Sequence, residues 1–123
     1  MTELHPRAKF AAAYAAVSFR VQGFHRWDGA PEHRAYLRST HRHLFHVSVR
    51  VRVSHDDRQI EFHDLLAGCQ DEFRRIVAAA EGKSCEMMAR ELLSHIYHVW
   101  MVDEARVTVS EDGETAATVG GGI

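Results

Sequence analysis

Three histidines stand at the two ends of one predicted loop, and together they could bind a metal ion. His25 ends the first strand-like segment, and His41 and His43 open the second, in the run Thr40-His41-Arg42-His43. A strand that enters at His25 and a strand that leaves from His43 would bring all three imidazoles to one end of a sheet. Three neutral imidazoles with one open position are typical of a zinc site that activates water or polarises a carbonyl.

Residue parity places the three histidines on the same face of the predicted sheet. Side chains alternate across a strand, so residues of one parity share a face. The apolar residues of both segments are odd-numbered, namely Val17, Phe19, Val21, Phe45, Val47, Val49, Val51 and Val53. The three histidines are also odd-numbered, whereas His46 would lie on the opposite face. The competing interpretation is a histidine-rich loop that binds no metal.

The remaining pattern predicts an α+β fold in the order ββααββ. Apolar residues at helical spacing between Phe62 and Ala80 predict one helix, with Gly82 as its C-terminal stop. Ser84 fits the N-cap of a second helix, and Glu86 fits its first turn. Residues 106–110 and 115–119 predict two strands around a turn. Short links between strands favour a four-stranded antiparallel sheet with both helices on one face.

The length of 123 residues predicts a single domain over 1–123. Residues 1–13 are expected to form an N-terminal arm or the irregular start of a strand. Residues 26–40, which contain Asp28-Gly29-Ala30-Pro31, predict a loop. The glycine-rich residues 120–123 predict a flexible tail.

Composition and charge exclude several classes of protein. The net charge is −2 and the chain has no basic run, so we expect no nucleic-acid partner. No apolar run approaches the roughly 20 residues that cross a membrane, so we expect no membrane partner. Cys69 and Cys85 are too few for a disulfide framework. Two cysteines therefore indicate a reducing compartment, and we expect a cytoplasmic protein.

The order of the motifs resembles the 6-pyruvoyl-tetrahydropterin synthase and 6-carboxytetrahydropterin synthase family of the tunnelling fold. That family has an early His, an His-Gly-His before an alternating strand, an Asp-Phe helix opening, a Pro-Thr-x-Glu helix opening and a late strand that ends in Glu. The matching segments here are His25, His41-Arg42-His43, Glu61-Phe62, Lys83-Ser84-Cys85-Glu86 and Val107-Thr108-Val109-Ser110-Glu111. The similarity spans about residues 15–119 and rests on the order and spacing of the motifs.

The resemblance implies a role for each matching position. The three histidines would bind zinc, and Glu111 would anchor the amino-pyrimidine edge of a pterin or a related purine-like ring, such as a deazapurine. A carboxylate suits that edge because it accepts two parallel N–H bonds. Ser84 falls where the family has a ring-contacting Thr, and Glu86 belongs to the same ligand-binding motif. The resemblance also implies a homo-oligomeric barrel with sites between subunits. Taken alone, Glu111 is typical of an ordinary turn carboxylate.

The chain departs from the family where protons are transferred. Leu37 occupies the position of the catalytic Cys, and Arg38 and Ser39 lie where a related subgroup has a Glu. Residues 77–83 contain no Asp-His couple, and Arg42 replaces the Gly between the paired histidines. The metal-binding and ring-anchoring positions are retained, while the usual proton-transfer residues are absent.

Cys85 and His33 are the candidates for the missing catalytic chemistry. Cys85 lies at a predicted helix N-terminus beside Lys83, and both features lower the pKa of a thiol. The alternative is that Cys85 is a small buried residue of the second helix. His33, together with Asp28 and Glu32, lies in the loop over the proposed site and could supply a base.

These observations leave three hypotheses open. The first is a zinc-binding, pterin synthase-like lyase that acts on a reduced pterin or a related purine-like compound by an altered mechanism. The second is a non-catalytic oligomer that binds a pterin, deazapurine or nucleotide on the same scaffold. The third is an oligomeric structural domain with a vestigial metal site.

Overall fold

A computed structural model, which describes residues 2–121, contains the predicted strands and helices in the predicted order. The main elements are β1 (Ala13–His25), β2 (His41–Val53), α2 (Phe62–Ala78), α3 (Cys85–Trp100), β3 (Ala105–Glu111) and β4 (Thr115–Gly120). A short helix, α1 (Pro6–Lys9), precedes them, and a 3-10 helix (Glu32–Arg38) lies between β1 and β2.

The four strands form one antiparallel sheet in the order β1-β2-β3-β4. Helix α2 packs on β1, and α3 packs on β3 and β4. The odd-numbered strand residues are the buried ones, because they face the two helices. The predicted α+β class, with both helices on one face of the sheet, is therefore confirmed.

An apolar core between the sheet and the helices ends directly beneath the histidines. Phe73 of α2 packs edge-on against Phe19 and Phe45, with ring centroids 6.1 and 6.3 Å away. Phe45 is fully buried and follows His43 on the same face of β2, with ring centroids 5.8 Å apart. Edge-to-face contacts of this kind are favourable, and they connect the packed core to the ring beside His43.

Strand β1 is longer than the sequence pattern predicts, because β2 pairs with it over its whole length. Its first residue, Ala13, pairs with Val53, although its own alternation begins only at Val17. Helix α2 is shorter than predicted and ends at Ala78 rather than Ala80. The N–H groups of Ala79 and Ala80 donate three residues back, to the Ile76 and Val77 carbonyls, so they do not continue the α-helical pattern.

The segment 26–40, predicted as a loop, connects β1 to β2 and contains the 3-10 helix. The guanidinium of Arg38 donates two hydrogen bonds to the Ala30 carbonyl, at 2.9 and 2.7 Å. The Trp27 N–H donates to the Leu37 carbonyl at 2.7 Å. These hydrogen bonds join the start of the segment to its end, beside the ends of β1 and β2.

Two further predictions concern the C-terminal tail and the absence of a membrane partner. The flexible tail predicted at residues 120–123 lies partly outside the described residues. Among the residues described, no helix combines the length and the apolar composition needed to cross a membrane.

Gly23→Ala should destabilise the fold, because α2 packs closely on β1 at Gly23. A Cβ at Gly23 would overlap Val77 Cγ1 and approach Phe45 Cε2 to 3.1 Å. Overpacking of this kind costs about 1–3 kcal/mol of unfolding free energy, which urea denaturation would measure. Gly29→Ala is the control, since its Cβ would meet only Trp27 Nε1 at 3.6 Å. Equal stability of the two variants would contradict the close packing of α2 on β1.

Candidate metal centre

The structure brings His25, His41 and His43 together at one end of the sheet. The antiparallel register pairs His25 with His41, and His43 lies two residues further along β2. The ring centroids are 4.6 Å apart for His25 and His41, 5.1 Å for His25 and His43, and 4.9 Å for His41 and His43. One ring nitrogen from each histidine lies within 4.8 Å of the others, so the cluster could hold a metal ion.

Each of the three rings is oriented by a hydrogen bond at Nδ1. His25 Nδ1 lies 3.1 Å from the Lys83 carbonyl, and His41 Nδ1 lies 2.9 Å from the Ser39 carbonyl. His43 Nδ1 lies 2.7 Å from Asp112 Oδ2. Carbonyl and carboxylate oxygens only accept, so each Nδ1 carries the proton and each Nε2 keeps a lone pair. Metal-binding histidines are oriented in the same way in other proteins.

The Nε2 atoms meet the requirements of metal ligands. His43 Nε2 is buried and has no hydrogen-bond partner among the described residues. An unsatisfied buried polar atom costs free energy and calls for an explanation, such as an ion. Burial lowers the pKa of His25, and its weaker interactions with Lys83 and Glu111 oppose that shift. The neutral form that binds metals is therefore favoured, and the residues present fit a metal ion.

A pocket of about 430 Å³ lies beside the histidine cluster. It opens between the N-terminus of α3, the start of β4 and the 26–40 segment. Its lining residues are His25, Arg26, Trp27, Leu37, His41, Gly82, Lys83, Ser84, Cys85, Glu86, Met87, Glu111, Thr115, Ala116 and Ala117. The volume is within the roughly 300–1,000 Å³ of small-molecule sites.

Glu111, the last residue of β3, connects the pocket to the histidine cluster. Its Oε1 lies 3.3 Å from His25 Nε2, and its Oε2 lies 3.7 Å from His43 Nε2. The Cys85 thiol also donates to Oε1, with the two atoms 3.5 Å apart. The side chain of Glu111 therefore points into the site and does not behave as an ordinary turn carboxylate.

Ser84 and Glu86 both line the pocket at the start of α3. Ser84 is the N-cap of α3, as predicted, and its hydroxyl accepts from the Met87 N–H at 3.1 Å. Glu86 lies in the first turn of α3, where a carboxylate interacts favourably with the helix dipole.

The prediction that Cys85 has a lowered thiol pKa is wrong. Burial raises the pKa of Cys85 to about 12, and the negative charges of Glu111 and Glu86 act in the same direction. The ammonium group of Lys83 does not offset them, because it binds both carboxylate oxygens of Glu91 at 2.9 Å. Cys85 is therefore a protonated thiol at neutral pH. Cys69 lies in the core, and burial raises its pKa to about 12 as well.

His33, the other candidate base, lies outside the pocket. It is exposed on the 3-10 helix, and its carbonyl accepts a hydrogen bond from Arg34. The other acidic candidates of the segment are engaged elsewhere: Asp28 pairs with Arg26 at 2.8 Å, and Glu32 pairs with Arg38 at 3.4 Å. Arg26, Trp27 and Leu37 are the residues of this segment that line the pocket.

Sequence reasoning missed Asp112, which holds both the His43 ring and the backbone beside it. Asp112 Oδ1 accepts from the Leu44 N–H at 2.9 Å, while Oδ2 accepts from His43 Nδ1. Asp112 and Gly113 have φ of 57° and 78°, as expected for an Asp-Gly hairpin turn. The Asp-Gly dipeptide signals the turn itself, whereas the register between β2 and β3 places the turn beside His43.

A second missed feature is the connection between α2 and α3. Arg26, which follows His25, pairs with Glu81 of that connection. The same connection supplies the Lys83 carbonyl that holds the His25 ring. The turn between the helices therefore orients a histidine that is distant in sequence.

Comparisons with known proteins show which fold this is. No protein-family model matches the sequence, and no curated protein matches it at a significant level. The Caenorhabditis elegans 6-pyruvoyl tetrahydropterin synthase is 15% identical, with a TM-score of 0.60 over 91% of this chain and 97% of that chain. A Plasmodium vivax 6-pyruvoyltetrahydropterin synthase with a catalytic glutamate replaced by cysteine is 16% identical. Its TM-score is 0.61 over 92% of this chain and 99% of that chain.

An archaeosine synthase QueF-like protein is also similar, at 17% identity and a TM-score of 0.50 over 89% of this chain and 96% of that chain. Identities this low show the shared fold alone. The chain is therefore a tunnelling-fold protein with a sheet of order β1-β2-β3-β4. Within that fold, it carries a three-histidine cluster able to hold a metal ion.

Removing the Asp112 carboxylate should weaken metal binding. Loss of a partner that orients a metal-binding histidine typically costs about 10- to 100-fold in affinity. We expect Asp112→Ala to show this loss in competition with a chelator, and Asp112→Asn to lose less, because its amide oxygen still accepts from Nδ1. Glu114→Gln removes the same charge from the same turn and should leave the affinity unchanged. Equal affinities for all four proteins would contradict this role of Asp112.

The raised pKa of Cys85 predicts an unreactive thiol. Alkylation requires the thiolate, so neither Cys85 nor Cys69 should be labelled by iodoacetamide at neutral pH in the native protein. Both should be labelled fully in denaturant, which serves as the control, with mass spectrometry as the readout. Labelling of native Cys85 at the rate of an exposed cysteine would contradict the assignment.

Proposed function

We propose that this chain is a zinc-binding, pterin synthase-like protein that acts on a reduced pterin or a related purine-like compound. The observation that carries the proposal is the set of three histidines whose Nδ1 atoms are hydrogen-bonded and whose rings each bring one nitrogen within 4.8 Å of the other two, beside a pocket. An activity of this kind would place the protein among zinc-dependent lyases.

Zinc is the metal that this donor set favours. Three neutral imidazoles with an open fourth position are a common ligand set of catalytic zinc. When bound, zinc polarises an oxygen of the ligand and stabilises its deprotonated form. The protein's part is to hold the three rings, through the Lys83 and Ser39 carbonyls and the Asp112 carboxylate.

We assign Glu111 as the anchor of the ring edge. In the structure its Oε1 lies against His25 Nε2 and accepts from the Cys85 thiol. Because His25 Nε2 carries no proton, it donates no hydrogen bond to Glu111, and the carboxylate oxygens remain able to accept ligand N–H groups. Cys85, as a protonated thiol, keeps Glu111 oriented. Ser84 and Glu86 lie at the same pocket wall and would contact the ring or its substituents.

The proton-transfer route differs from the one that the resemblance implies. Leu37 lines the pocket with an apolar side chain where a nucleophilic Cys is expected. Cys85 is a candidate acid rather than a base, since its thiol stays protonated. His33 would act as a base only after the 3-10 helix moves toward the pocket.

The second candidate is a protein that binds such a ring without transforming it. The raised pKa of Cys85 and the exposed position of His33 favour this candidate, because both leave the pocket without a ready base. A structural domain with a vestigial metal site is the third, and zinc analysis of the purified protein would distinguish it.

The site also supports a homo-oligomer. Strands β1 and β4 each pair with one neighbour only within the described chain. The pocket borders the β4 edge through Thr115, Ala116 and Ala117. We propose that a second copy completes the site at this edge in an oligomeric barrel.

Cys69 and Cys85 are both free, which supports a reducing, cytoplasmic location.

The proposed activity is tested with zinc-loaded protein and dihydroneopterin triphosphate. We expect product formation by the native protein and none by His41→Ala. Turnover no higher than that of His41→Ala would exclude the enzymatic function. Calorimetry with pterins, deazapurines and nucleotides would then test the non-catalytic binding function. Tight binding of an unchanged ligand supports the binding protein, whereas no binding across the panel excludes both candidates.

Glu111→Gln should separate ring binding from metal binding. A hydrogen bond to a charged group contributes about 1.5–3 kcal/mol, so ring affinity should fall roughly tenfold to a hundredfold in calorimetry. Zinc content should stay that of the native protein. Glu114→Gln, which changes the next glutamate along the chain, should leave both properties intact. Loss of zinc in Glu111→Gln would instead identify Glu111 as a metal ligand.

A further inference from the structure

The face of the sheet opposite the helices is strongly basic. Even-numbered strand residues form this face, and no described strand position on it is Asp or Glu. The whole chain nevertheless has a net charge of −2, so its charges are segregated. We call this surface the arginine face, after its five arginines: Arg20, Arg42, Arg50, Arg52 and Arg106.

A row of four hydroxyls crosses the middle of the arginine face. The register places Ser18 opposite Ser48, Ser48 opposite Thr108, and Thr108 opposite Thr118. The hydroxyls of Thr108 and Thr118 are 2.8 Å apart and hydrogen-bonded. Ser18, Ser48 and Thr118 are exposed. Hydroxyls can donate to an anion or accept from a neighbour, so the row can rearrange around a ligand.

Cationic side chains flank this row on both sides. Two residues away in one direction, Arg20 lies opposite His46. Two residues away in the other direction, Arg50 lies opposite Arg106. At about 3.3 Å per residue, the two flanking rows are roughly 13 Å apart.

The register places two like charges, Arg50 and Arg106, directly opposite each other. Like charges directly opposite each other on neighbouring strands destabilise a sheet. Arg50 also stacks on the Tyr14 ring, with its guanidinium carbon 4.0 Å from the ring centroid. Stacking holds this guanidinium at the surface of the face, in a position suited to an anion.

We propose that the arginine face binds an oligophosphate, an anion with several linked phosphates. Guanidinium groups bind phosphate oxygens through paired N–H donors, and hydroxyls add neutral donors between them. A single phosphate reaches one cationic row, whereas linked phosphates reach from one row toward the other across the hydroxyls. Because this face lies opposite the histidine cluster, the inference is independent of the proposed function.

A small anion suits the arginine face better than a nucleic-acid strand does. Acidic residues stand at both ends of the sheet, with Glu104 against Arg52 at 3.3 Å and with Asp112 and Glu114 in the β3–β4 turn. A long polyanion would have to pass these carboxylates, and a short one would not.

Titration calorimetry with inorganic tripolyphosphate tests the proposal. We expect the native protein to bind tripolyphosphate more tightly than orthophosphate. Arg50→Gln with Arg106→Gln should weaken binding by at least about tenfold, because each lost guanidinium removes charged hydrogen bonds. Arg34→Gln with Arg58→Gln is the matched control, since it removes the same charge from exposed residues away from this face. The control should bind as the native protein does.

Thermal denaturation is an independent test, because it distinguishes a folded variant that no longer binds tripolyphosphate from a variant that does not fold. Without ligand, Arg50→Gln with Arg106→Gln should still unfold in one cooperative transition, as the native protein does, because both arginines lie on the face opposite the core. Tripolyphosphate should raise the Tm of the native protein and of the control only. The proposal is overturned if tripolyphosphate does not bind, or if both double variants lose affinity equally. Binding of oligothymidylate but not of tripolyphosphate would also overturn it and assign the face to nucleic acid.

Discussion

The register between β1 and β2 is the constraint on which the site depends. It sets His25 opposite His41 and places His43 on the same face, two residues further along. A shift of one residue would send the side chains of one strand to the other face. The buried odd-numbered residues of both strands oppose such a shift, because the same register buries them under the helices. The core and the histidine cluster therefore depend on a single pairing.

Three separate parts of the chain then orient the rings within that register. The connection between α2 and α3 holds His25, the end of the 26–40 segment holds His41, and the β3–β4 turn holds His43. Since only one of these contacts uses a side chain, Asp112 is the point at which the orientation can be altered without changing the backbone. Glu111 precedes it in the chain, so the same turn orients a histidine and supplies the proposed ring anchor.

Much of this arrangement could be predicted from sequence, because strand parity is a local property. Alternation in 17–21 and 45–53 was enough to place the three histidines on one face. The pKa of Cys85 could not be predicted in the same way. Its sequence neighbours favour a thiolate, but the fold buries it beside Glu111 and directs Lys83 toward Glu91. Asp112 was missed for the same reason, since its contact with His43 spans 69 residues. The even-numbered residues of the same strands also carry information, because their register gathers arginines and hydroxyls on the opposite face.

X-ray absorption at the zinc edge of the purified protein tests the central claim most directly. Our account predicts a zinc ion with three imidazole nitrogens at about 2.0–2.1 Å, and its loss in His43→Ala. A sulfur ligand at about 2.3 Å, or zinc that His43→Ala retains unchanged, would contradict a three-histidine centre.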